Sequence, residues 1–83
     1  MAGYHLQDIE KGEVGELSKI YEEVEEIKDA ADQGIEIMLL VELSDLIGAI
    51  DLYLKKKHPS ITLEDLIKMS NVTQRAFISG GRK

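Results

Sequence analysis

Tyr21-Glu-Glu-Val-Glu-Glu-Ile27 is the stretch around which the fold is organised. Its apolar residues belong to a longer series spaced by three and four positions, which is typical of an amphipathic α-helix. The series predicts a first helix that runs from Val14 to about Gly34, where glycine suits the left-handed residue that ends a helix. The members of this series are Val14, Leu17, Ile20, Tyr21, Val24, Ile27 and Ala31.

Two further helices follow this stretch. A second helix is predicted from Ile35 to Lys57, because His58-Pro59 disfavours helix and the terminal lysines suit the negative end of the helix dipole. A third is predicted to begin at Thr62, which is placed to cap it, and to end at Gly80-Gly81. Before the first helix, Leu6 to Lys11 is expected to form a short helix or turn.

The predicted fold class is therefore all-α, with an antiparallel helical hairpin and a C-terminal helix. The chain has 83 residues, so we expect residues 1–83 to form a single domain with little stability to spare. Cysteine is absent, which excludes disulfides and thiolate metal sites. So short a chain can still be stabilised by self-association, by a metal ion with other ligands, or by both.

The net charge of the chain limits the classes of molecule that it can bind. Sixteen acidic against ten basic residues give a formal net charge of −6. Such a field repels nucleic acid and anionic lipid, so we expect no nucleic-acid or membrane partner, and any polyanionic ligand needs a cation to accompany it. No apolar signal core or membrane-length apolar run is present, so a cytoplasmic protein is expected.

Glu42 and Asp45 are charged residues in or beside the apolar arc of the predicted second helix. On a helical wheel, advancing roughly 100° per residue, Glu42 lies in the same arc as Met38 and Ala49, and Asp45 lies beside that arc. An unpaired ionised carboxylate on such a face is costly. Either a ligand binds there, or a basic residue at a subunit interface pairs with these groups.

The first helix adds further carboxylates. Glu23 and Glu26 lie at i and i+3 along the margin of its apolar stripe, although acidic helix faces are more often simply solvated. In an antiparallel pair, these two residues converge with Glu42 and Asp45 at one level. Four convergent carboxylates repel one another unless protonated or bridged by cations, and oxygen ligands without His or Cys favour Mg²⁺ or Mn²⁺.

The two acidic elements together resemble the MazG-like branch of the all-α NTP pyrophosphatases. That superfamily is marked by E-E-x-x-E on one helix and E-x-x-D on the next. Glu22, Glu23 and Glu26 match the first element, and Glu42 and Asp45 match the second. The similarity is firm over residues 17–53 and looser to the end of the chain, where it is similar to short, often phage-borne members.

The resemblance implies Mg²⁺-dependent hydrolysis of an NTP or dNTP to the monophosphate and pyrophosphate. It implies metal ligands at Glu23, Glu26, Glu42 and Asp45, with Glu22 acting beside Glu23 in catalysis as an outer-sphere ligand or base. It also implies a homodimer or homotetramer in which a four-helix bundle forms from more than one chain. The candidate substrate-binding residues are Lys19, Lys68, Asn71 and Arg75.

Two alternatives to this activity stay open. One is a related enzyme, a phosphoribosyl-ATP pyrophosphohydrolase, which shares the acidic pattern. The other is a non-catalytic helical dimerisation module. Of the remaining residues, His5 and His58 are expected to be solvent-exposed, without a partner at metal spacing, and the tail around Arg82 is expected to fray.

Overall fold

The structure, a computed structural model, describes residues 5–80 and is all-helical over that range. Three helices follow one another: α1 spans Leu17–Gln33, α2 spans Glu36–Lys57 and α3 spans Leu63–Ser79. No strand occurs in the described part of the chain. The predicted all-α class and the number of helices are confirmed.

Local capping chemistry accounts for the helix ends. Gly34 ends α1 with a left-handed φ of 73°, and Gly80 ends α3 with a φ of 77°. Thr62 caps α3 through its side chain, which accepts the backbone N–H of Asp65 at 3.1 Å, while the Asp65 carboxylate accepts the Thr62 N–H at 2.9 Å. Gly81 lies outside the described residues.

The start of α1 departs from the prediction. Residues 14–16 form a turn, so α1 begins at Leu17, and residues 6–11 are irregular chain without the predicted helix or turn. At Gly15 φ is +86°, and a Cβ there would lie 2.7 Å from the Cδ atom of Lys56. A larger residue at this position is therefore disfavoured by its backbone conformation, and it would also require the Lys56 side chain to shift.

Helices α1 and α2 pack against each other in antiparallel fashion. The side chain of Glu16, just before α1, lies 2.6 Å from the Nζ atom of Lys56 and 3.1 Å from that of Lys57 at the end of α2. The connection at the opposite end contains only Gly34 and Ile35. The predicted helical hairpin is present in one chain.

The face that α1 turns toward α2 is the opposite of the predicted one. Sequence periodicity favoured an apolar interior stripe, yet Val14, Leu17, Tyr21 and Val24 are exposed. The buried positions of α1 are four carboxylates and one alanine: Glu22, Glu23, Glu26, Asp29 and Ala30. Solvated surface is the expectation for the acidic residues Glu22, Glu23, Glu25 and Glu26 taken alone; it is wrong for Glu22, Glu23 and Glu26 and correct for Glu25, which is exposed.

Helices α2 and α3 leave much apolar surface uncovered. Ile37, Leu40 and Ile47 form what we call the outer face of α2, and they are 74%, 56% and 52% exposed. Helix α3 touches α2 only slightly, does not contact α1 within the described residues, and has no buried residue. No helix in the range 5–80 is both long and apolar enough to cross a membrane.

Two glycines with open space around them, Gly34 and Gly48, provide a matched test of the left-handed conformation that ends α1. An added methyl group at Gly34 or at Gly48 meets no atom within 4 Å, but only Gly34 has a positive φ. We expect Gly34→Ala to lower the free energy of unfolding by about 1 kcal/mol, because alanine is strained there. Gly48→Ala should raise it by about 0.5–1 kcal/mol, since Gly48 lies inside α2.

Thermal unfolding of both variants beside the unchanged protein measures this difference. A shift of the same sign in the two variants would contradict the assigned end of α1.

Candidate metal centre

Four carboxylates from the two packed helices converge at one point. Glu23 and Glu26 of α1 and Glu42 and Asp45 of α2 each offer one oxygen atom, and these four atoms lie within 4.8 Å of one another. Glu42 is fully buried, Glu23 and Glu26 are nearly so, and Asp45 is exposed. All four residues that sequence spacing selected as ligand candidates therefore lie together in a single chain.

The electrostatics of this cluster favour retention of a proton. Burial raises the pKa of Glu26 to about 7, and hydrogen bonds with Glu22 and Glu42 and the negative charges of Glu23 and Glu42 contribute in the same direction. Burial also raises the pKa of Glu23, although Lys19 opposes that effect. The carboxylates are thus too close to be fully ionised at neutral pH without a cation.

One oxygen atom of the cluster has no donor. The Oε1 atom of Glu23 is enclosed, and no described backbone or side-chain group donates a hydrogen bond to it. The other oxygen, Oε2, lies 3.4 Å from the Nζ atom of Lys19. A buried oxygen without a donor is unfavourable, so this atom is ready to accept a cation or a water molecule.

Glu22 has a different environment from the four clustered carboxylates. It accepts the backbone N–H of Gly12 at 2.8 Å and the ammonium group of Lys19 at 3.2 Å. Burial alone would raise the pKa of Glu22, but these two donors and a hydrogen bond with Glu26 together lower it. Glu22 is therefore an ionised group beside the cluster, and it holds the chain that precedes α1.

Gly12 makes that attachment possible by a close approach of two backbones. A Cβ at this position would collide with the backbone of Ser18 and Lys19 at the start of α1. We call residues 5–12 the N-terminal strap. Its Gly12 end is fixed on Glu22, and at the other end the backbone N–H of Leu6 donates to the Oδ2 atom of Asp29 at 3.1 Å.

The expectation that His5 is solvent-exposed and lacks partners is wrong. Its side chain is only 5% exposed, and its Nδ1 atom lies 2.7 Å from Oδ2 of Asp29. Its Nε2 atom lies 3.0 Å from Oε2 of Glu42 and 3.4 Å from Oε1 of Glu26. Burial lowers the pKa of His5, but Asp29, Glu42 and Glu26 outweigh it and the pKa is raised.

Sequence reasoning missed Asp29 and Lys11 as well as His5. Asp29 is buried and continues the spacing of Glu22 and Glu26 by three more residues, so that periodicity alone could have selected it. Its Oδ2 atom also accepts the side-chain amide of Gln33 at 2.9 Å. His5 precedes α1 in a stretch without periodicity, and no sequence signal indicates its position.

A groove of about 530 Å³ opens above the cluster. Its wall includes two cationic side chains, Lys19, which lies close to Glu22 and Glu23, and the more exposed Lys11. Acidic and small or apolar side chains complete the lining. These are Val14, Glu22, Glu23, Glu26, Ser44, Asp45, Gly48, Ala49 and Leu52.

The candidates on α3 do not line this groove in one chain. Lys68, Asn71 and Arg75 are exposed on α3, which has no contact with α1 in the described range. Lys19 is thus the single candidate substrate-binding residue that the structure brings to the carboxylates. Arg82 lies outside the described residues.

Comparison with protein-family models, with curated proteins and with solved structures finds no match to this chain.

The raised pKa values of Glu26 and His5 predict how stability depends on pH. Between about 4.5 and about 7 the folded chain keeps a proton on Glu26 that the unfolded chain releases, so the free energy of unfolding falls as pH rises. His5 acts in the same direction above its ordinary value of 6.5. In EDTA, we expect the free energy of unfolding to be about 1–2 kcal/mol lower at pH 8 than at pH 5.5, a range that includes a reduction for solvent screening.

Glu26→Gln and its exposed neighbour Glu25→Gln form a matched pair for this prediction. The first variant should flatten the pH dependence of the melting temperature, and the second should leave it unchanged. A wild-type melting temperature that rises from pH 5.5 to pH 8 in EDTA would show that Glu26 does not retain the proton.

Proposed function

We propose that this protein is a Mg²⁺-dependent nucleoside triphosphate pyrophosphohydrolase, which converts an NTP or dNTP to the monophosphate and pyrophosphate. The observation that carries the proposal is the convergence of four carboxylates on two packed helices, with their oxygen atoms within 4.8 Å of one another. These carboxylates occupy the positions of the two acidic elements through which the sequence resembles the MazG-like pyrophosphohydrolases.

The chemistry of the donor set fits a hard divalent cation. All four candidate ligands, Glu23, Glu26, Glu42 and Asp45, offer carboxylate oxygen, the ligand type that Mg²⁺ and Mn²⁺ prefer. The enclosed Oε1 atom of Glu23 has no hydrogen-bond donor within the described range, and the pKa of Glu26 is raised to about 7. Both features are expected of a site whose charge is balanced by a cation.

A divalent ion in such a centre supplies charge neutralisation for phosphate oxygens and a more acidic bound water. The chain's own residues add to that chemistry. Lys19, held beside Glu22 and Glu23, presents an ammonium group on the groove wall where a polyphosphate would lie, and Lys11 adds a second. Glu22 is ionised and accepts a hydrogen bond from the protonated carboxyl group of Glu26, so it is placed to keep Glu26 oriented.

Three experiments separate this activity from its alternatives. Pyrophosphate release from a panel of NTPs and dNTPs, with and without Mg²⁺ or Mn²⁺, tests the reaction, and competition with phosphoribosyl-ATP tests the related enzyme. A non-catalytic dimerisation module would show no rise of melting temperature with Mg²⁺, whereas a metal site stabilises the folded chain as ion concentration increases.

Glu42→Gln is the most direct test of the site. Glu42 is fully buried at the centre of the cluster, and the neutral amide removes one ligand charge while it preserves side-chain volume. We expect metal-dependent pyrophosphate release to fall by at least about a hundredfold and stabilisation by Mg²⁺ to weaken. Glu36→Gln, an exposed acid on the same helix, should behave as the unchanged protein.

Pyrophosphate release and helicity are measured on both variants. Full activity in Glu42→Gln would exclude the proposed centre, and so would an equal loss in Glu36→Gln and Glu42→Gln.

We also propose that the protein acts as a homodimer or homotetramer. The support is the apolar surface that one chain leaves uncovered: the outer face of α2 (Ile37, Leu40 and Ile47) together with Tyr21 of α1 and Phe77 of α3. An apolar surface on three helices of so short a chain is typical of an association surface. Helix α3, which has no buried residue, is then expected to be held in part by a second copy.

Ile47→Lys tests the assembly. At a residue half exposed in one chain, lysine is readily tolerated, but at a subunit interface it is strongly unfavourable. Analytical ultracentrifugation at micromolar concentration should give an oligomer for the unchanged protein and a smaller species for the variant. Asp32→Lys, which places the same side chain at an exposed position of α1, should keep the oligomer. A monomeric unchanged protein would rule the assembly out.

A further inference from the structure

The imidazole of His5 is buried against two carboxylates of the acidic cluster, Glu26 and Glu42. Its side chain is 5% exposed, and its Nε2 atom faces Oε2 of Glu42 at 3.0 Å and Oε1 of Glu26 at 3.4 Å. Donor atoms of these same three side chains lie within 4.8 Å of one another. Glu26 and Glu42 thus belong both to the four-carboxylate cluster and to a group that contains a ring nitrogen.

Asp29 fixes the orientation of that ring. Its Oδ2 atom lies 2.7 Å from Nδ1 of His5 and accepts two further hydrogen bonds, from the backbone of Leu6 at 3.1 Å and from the side chain of Gln33 at 2.9 Å. A carboxylate so held accepts a hydrogen bond from Nδ1–H. In protein metal sites, a carboxylate behind a histidine fixes the ring tautomer and leaves the other nitrogen to bind the metal.

The strap that carries His5 is itself anchored. Gly12 donates its backbone N–H to Glu22 at 2.8 Å, and Leu6 donates to Asp29. Both acceptors are buried residues of α1, seven positions apart on one face of that helix. The position of the ring is therefore set by attachments on both sides of the cluster and does not depend on its contacts with Glu26 and Glu42 alone.

An independent observation points to a cation in the four-carboxylate cluster, which shares Glu26 and Glu42 with the His5 group. The Oε1 atom of Glu23 is enclosed and receives no hydrogen bond from any group of residues 5–80. Glu23 is 4% exposed and shares the cluster with Glu26 and Glu42. An oxygen atom so enclosed is costly to leave without a partner, and no part of the strap supplies a donor.

We propose that His5 is a nitrogen ligand of the metal centre and that Asp29 is its positioning residue. The proposal rests on the proposed function only in that a divalent ion binds among these carboxylates. With His5 Nε2 added to Glu26 and Glu42, the ligand set is mixed nitrogen and oxygen. Imidazole nitrogen favours first-row transition ions over Mg²⁺, so the centre discriminates in favour of Mn²⁺ more strongly than carboxylates alone would.

Mn²⁺ provides a spectroscopic test that does not depend on activity. The chain contains only two histidines, and His58 lies exposed beyond the end of α2. Pulsed EPR of Mn²⁺ bound to the full chain should show the ¹⁴N modulation of a directly bound imidazole, and labelling of histidine with ¹⁵N should replace it. The signal should persist in His58→Ala and disappear in His5→Ala.

Calorimetric affinities give a second readout. We expect His5→Ala to weaken Mn²⁺ binding by about 10–100-fold and Mg²⁺ binding by much less. Asp29→Asn should weaken Mn²⁺ binding by about tenfold, because the ring loses the acceptor that orients it. Circular dichroism of each variant establishes that the helices are retained.

The possible outcomes are distinct. Bound Mn²⁺ without imidazole modulation, or equal losses of Mn²⁺ and Mg²⁺ affinity in His5→Ala, would overturn the ligand assignment and leave the carboxylate centre in place. Imidazole modulation in a protein that releases no pyrophosphate would support the ligand and reject the proposed reaction. If His5→Ala does not fold, the labelled wild-type protein and His58→Ala still decide the question.

Discussion

The burial of carboxylates between α1 and α2 is the constraint on which this structure depends. Glu22, Glu23, Glu26 and Asp29 of α1 and Glu42 of α2 are buried, while the buried apolar side chains among residues 5–80 are Ala30, Met38, Ala49 and Leu54. Such an interface is not held by hydrophobic burial alone. It also needs hydrogen-bond donors and positive charge, which come from the N-terminal strap, from Lys19 of α1 itself, and from the proton that Glu26 retains.

The helix boundaries were largely predictable because capping is local chemistry. The left-handed glycine at 34, the His58-Pro59 end of α2 and the Thr62–Asp65 capping box each involve residues within a few positions of one another. The inward face of α1 was not predictable by the same means. Hydrophobic periodicity assumes that apolar residues turn inward, and here Tyr21 and Val24 turn outward because the carboxylates occupy the interior.

The candidate site was predictable in part, for a related reason. Glu42 could be selected because it breaks an apolar arc, and Glu23 and Glu26 could be selected from their spacing on an opposing helix. His5 could not, because its contacts with Asp29 and Glu42 span 24 and 37 residues and the strap has no regular structure. Long-range contacts made by irregular chain leave no periodic pattern in a sequence.

The uncovered apolar faces and the crowded carboxylates are physically connected. In the proposed assembly, a second copy would exclude water from the outer face of α2 and lower the local dielectric around Glu42 on the other side of that helix. Repulsion among the carboxylates would then increase, and so would the attraction of the cluster for a divalent ion. If association raises the affinity for the metal ion, then metal binding must favour association to the same extent, because the two equilibria are thermodynamically linked. The strap would contribute to the same balance, because His5 and the Gly12 N–H contact carboxylates whose mutual repulsion the proposed assembly would increase.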